Sequence, residues 1–438
     1  MRVSVIGCGY LGAVHAAAMA SIGHEVVGID VDATRIARLA RGEAPFHEPG
    51  LAAILVEQLA SGRLRFSTDF ADAVDADVHF VAVGTPQVAG GRAADLTYVD
   101  AAFAALGGMT RPGALVVGKS TVPVGTAARL APVIEAAGAT LVWNPEFLRE
   151  GYAVKDTLEP DRLVYGVAPG EALASRSEVA VLDAVYAPII ERGTPRVVAD
   201  WATAELVKVS ANAFLATKIS FINAMAEIAE ATGADVTTLA DAIGMDARIG
   251  RRFLNAGVGF GGGCLPKDIR AFTARAEELG VGASVAFLKE VDAINLRRRD
   301  RIVALVLDAL GERRHDARVA VLGLAFKPHS DDVRDSPALD VAVRLNGLGV
   351  QVVGTDPAAI ETARALHPQL SYARDTEEAI RGAEVVVLVT EWPEYRELDP
   401  VEARELAAAR PTVIDGRNVL DPAAWRSAGW TYRGMGRP

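Results

Sequence analysis

Three glycines near the start of the chain form the pattern G-x-G-x-x-G: Gly7, Gly9 and Gly12. They follow an apolar run, RVSVIG, and precede a segment of helix-forming residues. In this context the first glycine permits a tight turn, the second lets the backbone approach a pyrophosphate, and the third allows close packing of helix on strand. Asp30 ends the next apolar run about 20 residues further on, where a carboxylate can accept hydrogen bonds from ribose hydroxyls. The stretch therefore predicts a βαβ unit that binds a dinucleotide.

Two neighbours of this turn bear on the choice of dinucleotide. Asp30 favours NAD over NADP, because a carboxylate repels a 2′-phosphate. Arg35 could instead accept that phosphate, although we expect it to lie over the adenine and ribose. Cys8, inside the turn, is interpreted as a small filler rather than a reactive thiol.

Short, β-branched and almost continuously apolar runs occur in two groups, which is typical of strands buried on both faces of a parallel sheet. The first group lies at 2–7, 24–30, 76–84, 114–120 and 140–146, and the second at 318–326, 350–357, 383–392 and 411–418. The predicted fold is α/β, with two Rossmann-like, doubly wound parallel-sheet domains joined by a central helical domain. We expect the domains at 1–200, 201–300 and 301–438. The second sheet lacks the glycine triplet, so we do not expect it to bind the same ligand.

Residues 202–230 contain neither glycine nor proline and are rich in helix formers, which predicts one long helix. Its apolar residues cover most of its circumference. Such a helix either crosses a core between domains or packs against a copy of itself. We therefore expect a homodimer or a higher homo-oligomer.

Composition limits the possible partners and the location of the protein. The 438 residues carry a net charge of −11, which argues against nucleic acid as the main partner. The two cysteines are too few for a disulfide framework and lack the spaced partners of a zinc site, so no metal is expected. No apolar run approaches the about 18 residues of a membrane span, and the chain enters a strand without a signal peptide. The expected location is the cytoplasm.

The stretch VGFGGGCLPKD, 258–268, places Cys264 in a glycine-rich turn. One interpretation is a loop with an inertly packed cysteine. The other is a reactive thiol, because glycine N–H groups can approach a ligand and Lys267 would favour the thiolate. Asp268 shares the face of Cys264 if a helix begins near Pro266.

Two further segments carry polar groups in apolar surroundings. Lys208 and Asn212 are four residues apart on the long helix, although the lysine could also reach solvent. The segment NPEFLREG, 144–151, follows a predicted strand, so Glu146 and Glu150 lie where ligands bind to such sheets. The alternative is a solvated loop.

Taken together, the motifs resemble the UDP-glucose 6-dehydrogenase family, within the wider group of nucleotide-sugar dehydrogenases. In chain order they are VIGCGYLG (5–12), EPGL (48–51), KSTVPVGT (119–126), NPEFLREG (144–151), AELVKVSANAFLATKISF (204–221), RIGRRFLNAGVGFGGGCLPKD (248–268), GLAFKPHSDDVRDSP (323–337) and DGRN (415–418). The resemblance spans nearly the whole chain.

The resemblance implies a four-electron oxidation of a sugar C6 alcohol to a carboxylate, with two NAD molecules and one water. The thiol matching Cys264 captures the intermediate aldehyde as a thiohemiacetal, which is then oxidised to a thioester. Lys208 and Asn212 resemble the groups that stabilise the oxyanion. Asp268 and Thr121 resemble the groups that manage the water, and Glu146 resembles an acid–base carboxylate.

The resemblance also implies the binding residues. For the cofactor they are, around the glycine turn, Leu11, Asp30, Arg35, Thr85, Thr121, Glu150, Lys267 and Arg334. For the sugar nucleotide they are Phe147, Leu148, Arg149, Glu150, Lys208, Asn212, Phe253, Leu254, Asn255, Ala256, Gly257, Gly261 and Lys327. Arg248 resembles a residue that reaches the partner subunit's site, and Arg417 one that contacts the substrate.

Within this group the resemblance favours UDP-glucose as the substrate, because relatives that use GDP-mannose tend to carry tryptophan where Phe214 stands. The alternatives are GDP-mannose or a UDP-N-acetylhexosamine as the substrate. From a different class, the fold could serve a non-catalytic protein that binds a nucleotide sugar or NAD.

Overall fold

The computed structural model describes residues 1–438, and the chain divides into two compact units. The first comprises Met1–Ala211 and Ala274–Gly280. The second comprises Asn212–Thr273 and Val281–Pro438. The three-domain boundaries expected from the sequence stay a prediction.

The first unit is built around one sheet. Its strands are β1 (Arg2–Ile6), β2 (Glu25–Ile29), β3 (Leu64–Ser67), β4 (Val78–Val81), β5 (Leu115–Gly118), β6 (Thr140–Trp143), β7 (Leu163–Val167) and β8 (Arg196–Asp200). Its helices are α1 (Tyr10–Ser21), α2 (Ala33–Ala40), α3 (Leu51–Ala60), α4 (Thr97–Gly107), α5 (Thr126–Glu135), α6 (Ala153–Leu158), α7 (Ser177–Val185) and α8 (Ala187–Ile190). The order is β3-β2-β1-β4-β5-β6-β7-β8, and only β6 and β7 pair antiparallel.

This strand order places the candidate residues at one edge. The order reverses between β1 and β4, and ligands bind outside the carboxyl ends of strands at such a switch point. The five apolar runs predicted in this part of the sequence are β1, β2, β4, β5 and β6, so those predictions are confirmed. The segments that follow these parallel strands therefore share the ligand edge of the sheet.

The turn after β1 has the geometry that its glycines predict. Gly7 has φ of 89°, in the left-handed region. A Cβ on Gly12 would lie 1.8 Å from the carbonyl oxygen of Gly7, so only glycine lets α1 start this close to the strand. A Cβ on Gly9 would meet no protein atom within 4 Å. The protein's own packing therefore does not require glycine at that position, which leaves approach of a ligand as its reason.

The second unit contains a six-stranded, wholly parallel sheet. Its strands are β9 (Arg318–Leu322), β10 (Gln351–Thr355), β11 (Ser371–Tyr372), β12 (Val385–Leu388), β13 (Thr412–Asp415) and β14 (Thr431–Gly434), in the order β11-β10-β9-β12-β13-β14. The remaining helices of the chain are α9 (Trp201–Thr232), α10 (Val236–Gly244), α11 (Leu265–Glu278), α12 (Phe287–Leu310), α13 (Pro337–Gly347), α14 (Ile360–Leu366), α15 (Thr376–Ile380), α16 (Pro393–Arg396), α17 (Pro400–Leu406) and α18 (Pro422–Ser427). The four predicted strands of this half are confirmed.

The turn after β9 differs chemically from the turn after β1. Asp356 follows β10 as Asp30 follows β2, but protein groups donate five hydrogen bonds to its carboxylate. One oxygen accepts hydrogen bonds from the N–H groups of Leu324 and Ala325 and from the Trp392 indole, at 2.8, 3.0 and 3.2 Å. The other oxygen accepts two more backbone N–H groups, at 2.9 Å each.

Helix α9 confirms the predicted long helix. Phe214, Phe221 and Ile228 recur every seven residues and are 67%, 48% and 55% exposed. One apolar stripe is therefore left open in the single chain, which fits the alternative in which the helix packs against a copy of itself; the homo-oligomer stays a prediction. No helix of the structure is long and apolar enough to cross a membrane.

We expect Gly12→Ala to destabilise the protein by about 3 kcal/mol, because the new methyl group would overlap the Gly7 carbonyl. Gly9→Ala is the matched control. It meets no protein atom and has φ of −68°, so its unfolding should change by less than about 1 kcal/mol. Thermal unfolding of both variants tests the pair, and equal losses would contradict the packing argument.

Candidate active site

The acid of the dinucleotide turn is held in place by its own chain. Asp30 accepts hydrogen bonds from the N–H groups of Cys8 and Asp32, at 2.8 and 2.9 Å. The Arg35 guanidinium donates to the same carboxylate at 2.9 Å. Arg35 therefore forms an ion pair with Asp30. The carboxylate follows β2, the position at which such folds bind a ribose of the dinucleotide. Cys8 is fully buried, and burial raises the pKa of its thiol, which confirms the filler interpretation.

The first turn of α1 completes the donor set for a pyrophosphate. The helix begins at Tyr10, so the N–H groups of its first turn, including that of Leu11, have no acceptor within the helix. Together with the space above Gly9, these groups fit the pyrophosphate of a dinucleotide.

The ends of β4 and β5 are joined by hydroxyl groups. Thr85 Oγ1 donates to the carbonyl oxygen of Thr121 at 2.9 Å, and Ser120 Oγ donates to that of Val83 at 2.6 Å. Two predicted residues of the cofactor set, Thr85 and Thr121, are therefore neighbours.

Lys208 lies inside the first unit, and the alternative in which it reaches solvent is wrong. It is 5% exposed, and its Nζ lies 3.4 Å from Glu146 Oε1 and 5.3 Å from the centre of the Phe147 ring. Glu146 Oε2 accepts the N–H of Leu148 at 2.5 Å. The lysine, the carboxylate and the start of the NPEFLREG segment form one cluster.

The rest of this segment is also ordered by contacts, which argues against a solvated loop. Glu150 is buried. Arg149 makes a two-pronged ion pair with Asp156, at 2.7 and 2.8 Å. The Arg162 guanidinium lies 3.9 Å from the centre of the Phe147 ring.

In the second unit, Cys264 is exposed and directly precedes α11. Its carbonyl oxygen accepts the N–H of Asp268 at 3.0 Å, so the helix starts where the sequence predicted. Neither cysteine of the chain forms a disulfide, and the inertly packed interpretation of Cys264 is wrong because the residue is exposed. The positive end of a helix favours a thiolate at this position.

Asp268 is buried beside the thiol loop with both oxygens paired. Lys267 Nζ donates to Oδ1 at 2.5 Å, and Asn212 Nδ2 donates to Oδ2 at 2.6 Å. The carboxylate is 3% exposed, so these donors supply the compensation that a buried charge needs. Four predicted residues, Cys264, Lys267, Asp268 and Asn212, are thus gathered in this unit.

The three glycines before Cys264 have close protein neighbours. A Cβ on Gly261 would lie 2.2 Å from the Asp335 carbonyl oxygen, and one on Gly263 would lie 2.5 Å from the Arg334 guanidinium carbon. Gly262 has φ of 83° and faces Phe326. Close packing against the backbone at Gly261 and a left-handed φ at Gly262 therefore account for two of these three glycines.

The remaining predicted binding residues of the second unit, among them Arg334 of the cofactor set and Arg248 of the partner-site prediction, are placed as follows. In the segment Phe253–Gly257, Leu254 and Ala256 are buried, and the N–H of Gly257 donates to Asn223 Oδ1 at 2.9 Å. Asn255 Oδ1 accepts from Arg251 at 2.7 Å. Arg417 donates to three backbone carbonyl groups, Lys327 lies over the Phe326 ring, and Arg334 pairs with Asp332. Arg248 is exposed and pairs with Asp246.

Two buried residues of the site have no role in the sequence interpretation. Glu205 accepts the N–H groups of Gly125 and Ala127, at 2.7 Å each, and so fixes the loop that carries Thr121. Lys119 donates to Asn144 Oδ1 at 3.0 Å, and burial lowers its pKa to about 8. Lys119 belongs to the KSTVPVGT motif and Glu205 to the AELVKVSAN motif. Their hydrogen-bond partners, however, become visible only in the fold.

The fold and these clusters define a dinucleotide-dependent dehydrogenase with a candidate thiol nucleophile. Sequence models of the UDP-glucose/GDP-mannose dehydrogenase family match the chain in three parts: the NAD binding domain at residues 1–190, the central domain at 202–297 and the UDP binding domain at 320–422. The chain belongs to this family and is an NAD-dependent oxidoreductase.

Individual relatives agree with this assignment. The chain is 41% identical to a UDP-glucose 6-dehydrogenase of Rhizobium meliloti, covering 100% of both chains. It is 40% identical to UDP-glucose 6-dehydrogenase TuaD of Bacillus subtilis, covering 100% of this chain and 93% of the relative. A solved UDP-glucose dehydrogenase from Pyrobaculum islandicum is similar with a TM-score of 0.89 and 39% identity, over 100% of this chain and 98% of that one.

Glu205 generates a prediction about stability and pH. Burial raises its pKa to about 6 from an ordinary value of 4.5, although backbone N–H groups act against the shift. The folded protein therefore holds this proton more tightly than the unfolded chain, and stability falls as pH rises from about 4.5 to about 6. Glu205→Gln does not titrate, so the stability of the wild type relative to this variant should fall by up to about 2 kcal/mol across that window. Unfolding curves at several pH values measure it, and parallel profiles would contradict the assignment.

Proposed function

We propose that the protein oxidises the C6 alcohol of UDP-glucose to the carboxylate of UDP-glucuronate. The observation that carries the proposal is the exposed Cys264 thiol at the start of α11, followed by the buried Asp268 with its lysine and asparagine donors. The full-length relatives at about 40% identity, which are UDP-glucose 6-dehydrogenases, support the choice of sugar nucleotide.

Bound NAD supplies the acceptor for one hydride in each of two oxidations. In the first, the alcohol loses its proton and a hydride to become an aldehyde. The Lys208 ammonium, buried against Glu146, stabilises negative charge on the sugar oxygen, and Asn212 donates a hydrogen bond to it. Glu146 is the carboxylate that takes part in proton transfer.

The second oxidation uses the thiol. The Cys264 thiolate adds to the aldehyde carbon, which forms a C–S bond and a tetrahedral thiohemiacetal that again carries a transferable hydrogen. Loss of that hydride gives a thioester. Water then attacks the carbonyl carbon, the C–S bond breaks, and the acid and the thiolate are released. Asp268 and Thr121 orient this water, and the ion pair with Lys267 holds the Asp268 carboxylate in place.

The binding roles expected from the family resemblance are part of the proposal. Asp30, Arg35, Thr85, Thr121, Glu150, Lys267 and Arg334 hold the cofactor around the glycine turn. The segments Phe147–Glu150 and Phe253–Gly257, with Gly261, Lys327 and Arg417, hold the sugar nucleotide. We place the reaction in the cytoplasm, because the thiol must stay reduced.

A panel of sugar nucleotides tests the substrate. We expect NADH to form with UDP-glucose, with two NADH for each UDP-glucuronate, and activity at least about a hundredfold lower with GDP-mannose or UDP-N-acetylmannosamine. Absorbance of NADH and chromatography of the products measure both quantities. Oxidation of GDP-mannose with UDP-glucose inert would overturn the proposed substrate.

Cys264→Ser tests the covalent step. We expect steady-state formation of the acid to fall at least about a thousandfold, while NADH affinity changes by less than about twofold, because the dinucleotide turn is untouched. Alkylation of the wild type provides an internal comparison. Iodoacetamide should modify the exposed Cys264 and not the buried Cys8, as read by mass spectrometry. Full turnover in the serine variant would exclude the thioester route.

We further propose a homodimer in which the open stripe of α9 is covered by a second copy, with Arg248 reaching the partner's site. The seven-residue spacing of Phe214, Phe221 and Ile228 fits helix–helix packing, and three such side chains are costly to leave in water.

The double change Phe214→Glu and Phe221→Glu tests the stripe. We expect the wild type to sediment as a dimer or larger at micromolar concentration and the variant as a monomer. Val401→Glu, at an apolar residue on α17 that is also exposed, should leave the sedimentation unchanged. A monomeric wild type would contradict the proposal.

A further inference from the structure

Tyr10 belongs to the cofactor turn, but its side chain bonds to the other ligand segment of the first unit. It lies between Gly9 and Gly12. Its hydroxyl donates to the Glu48 carboxylate and accepts the backbone N–H of Gly151 at 2.8 Å. The ring packs against Phe46, with 4.4 Å between the ring centres.

Glu48 is the second half of this junction. It is buried, and its Oε2 accepts the N–H of Gly151 at 2.7 Å while Oε1 accepts that of Val154 at 3.3 Å. Hydrogen bonds from N–H groups to a carboxylate are stronger than those to a neutral acceptor. Burial, followed by the hydrogen bond to Glu48, raises the pKa of Tyr10, so its hydroxyl remains a donor.

Gly151 immediately follows the segment Phe147–Glu150. The front of that segment is held by the Lys208–Glu146 pair and by Arg162 against Phe147. Its far end is held by Tyr10 and Glu48, and Gly151 has φ of 77°, a conformation that leaves its N–H facing them. The segment is therefore anchored at both ends, and the second anchor comes from Tyr10 on α1 and from Glu48, which lies just before α3.

We propose that Tyr10 and Glu48 are positioning residues that fix the segment Phe147–Glu150 for the sugar nucleotide. A hydroxyl of the cofactor turn thus serves the other substrate. This inference rests on the proposed function for the identity of that substrate, whereas the anchoring itself does not. Helix α1 packs against both α3 and α6, so the junction joins helices that also pack together.

Tyr10→Phe removes the hydroxyl and keeps the ring. Without any ligand, we expect amide hydrogen exchange in residues 147–158 to rise roughly fivefold, because one hydrogen bond of the anchor is lost. With ligands, the KM for UDP-glucose should rise by about threefold to tenfold while NADH affinity stays within about twofold. Tyr98→Phe is the matched control, because Tyr98 is exposed on α4, and it should change none of these quantities.

Glu48→Gln provides a second variant, and its effect on exchange should not add to that of Tyr10→Phe, because both act on the same anchor. Weaker NADH binding in Tyr10→Phe with unchanged exchange and unchanged KM would overturn the inference and place the tyrosine in cofactor binding. A wild type that is inert towards UDP-glucose would instead contradict the proposed function. In that case the exchange measurement still decides the anchoring.

Discussion

Burying an ionised side chain costs several kcal/mol unless a partner compensates it, and this constraint organises every candidate catalytic cluster of the protein. Lys208 is buried against Glu146, Asp268 against Lys267 and Asn212, and Glu205 against two backbone N–H groups. The pairs Lys208–Glu146 and Asn212–Asp268 also fix a geometry, because each joins α9 to another segment of the chain. The charged groups that the proposed chemistry uses therefore also make the contacts that hold their loops in place.

The sequence predicts most of the framework because the strands buried on both faces are continuous apolar runs. All nine predicted strands are present, and the glycine turn has the conformation that its pattern requires. One missed strand, β7 (LVYGV), is apolar and buried. Other missed strands are short or polar segments, such as β3 (LRFS), β11 (SY) and β14 (TYRG). Such segments become strands through pairing with neighbours, which a local pattern does not contain.

The sequence was enough to predict which residues belong to the candidate site, but not which atoms they contact. The motif resemblance points to Cys264, Lys208 and Asp268, whereas Glu205 and Glu48 bond to N–H groups 78 to 106 residues away in the chain. Backbone N–H donors cannot be recognised from the pattern of side chains. In the sequence, the glutamates that accept from them therefore look like ordinary surface acids. For a related reason the sequence left two alternatives open for α9, a core between domains or a second copy of the chain. Apolar composition shows that a face avoids water but not whether the same chain covers it.

The two acids that end β2 and β10 differ in how many donors their own chain supplies, three to Asp30 and five to Asp356. The C-terminal turn is therefore complete once its strands have formed, while the N-terminal turn keeps donors and space for a dinucleotide. Because a ligand stabilises the state that binds it, bound NAD adds to the free energy of unfolding of the first unit, by an amount that grows with the logarithm of the NAD concentration. Unfolding and proteolysis of the first unit should therefore slow when NAD is bound.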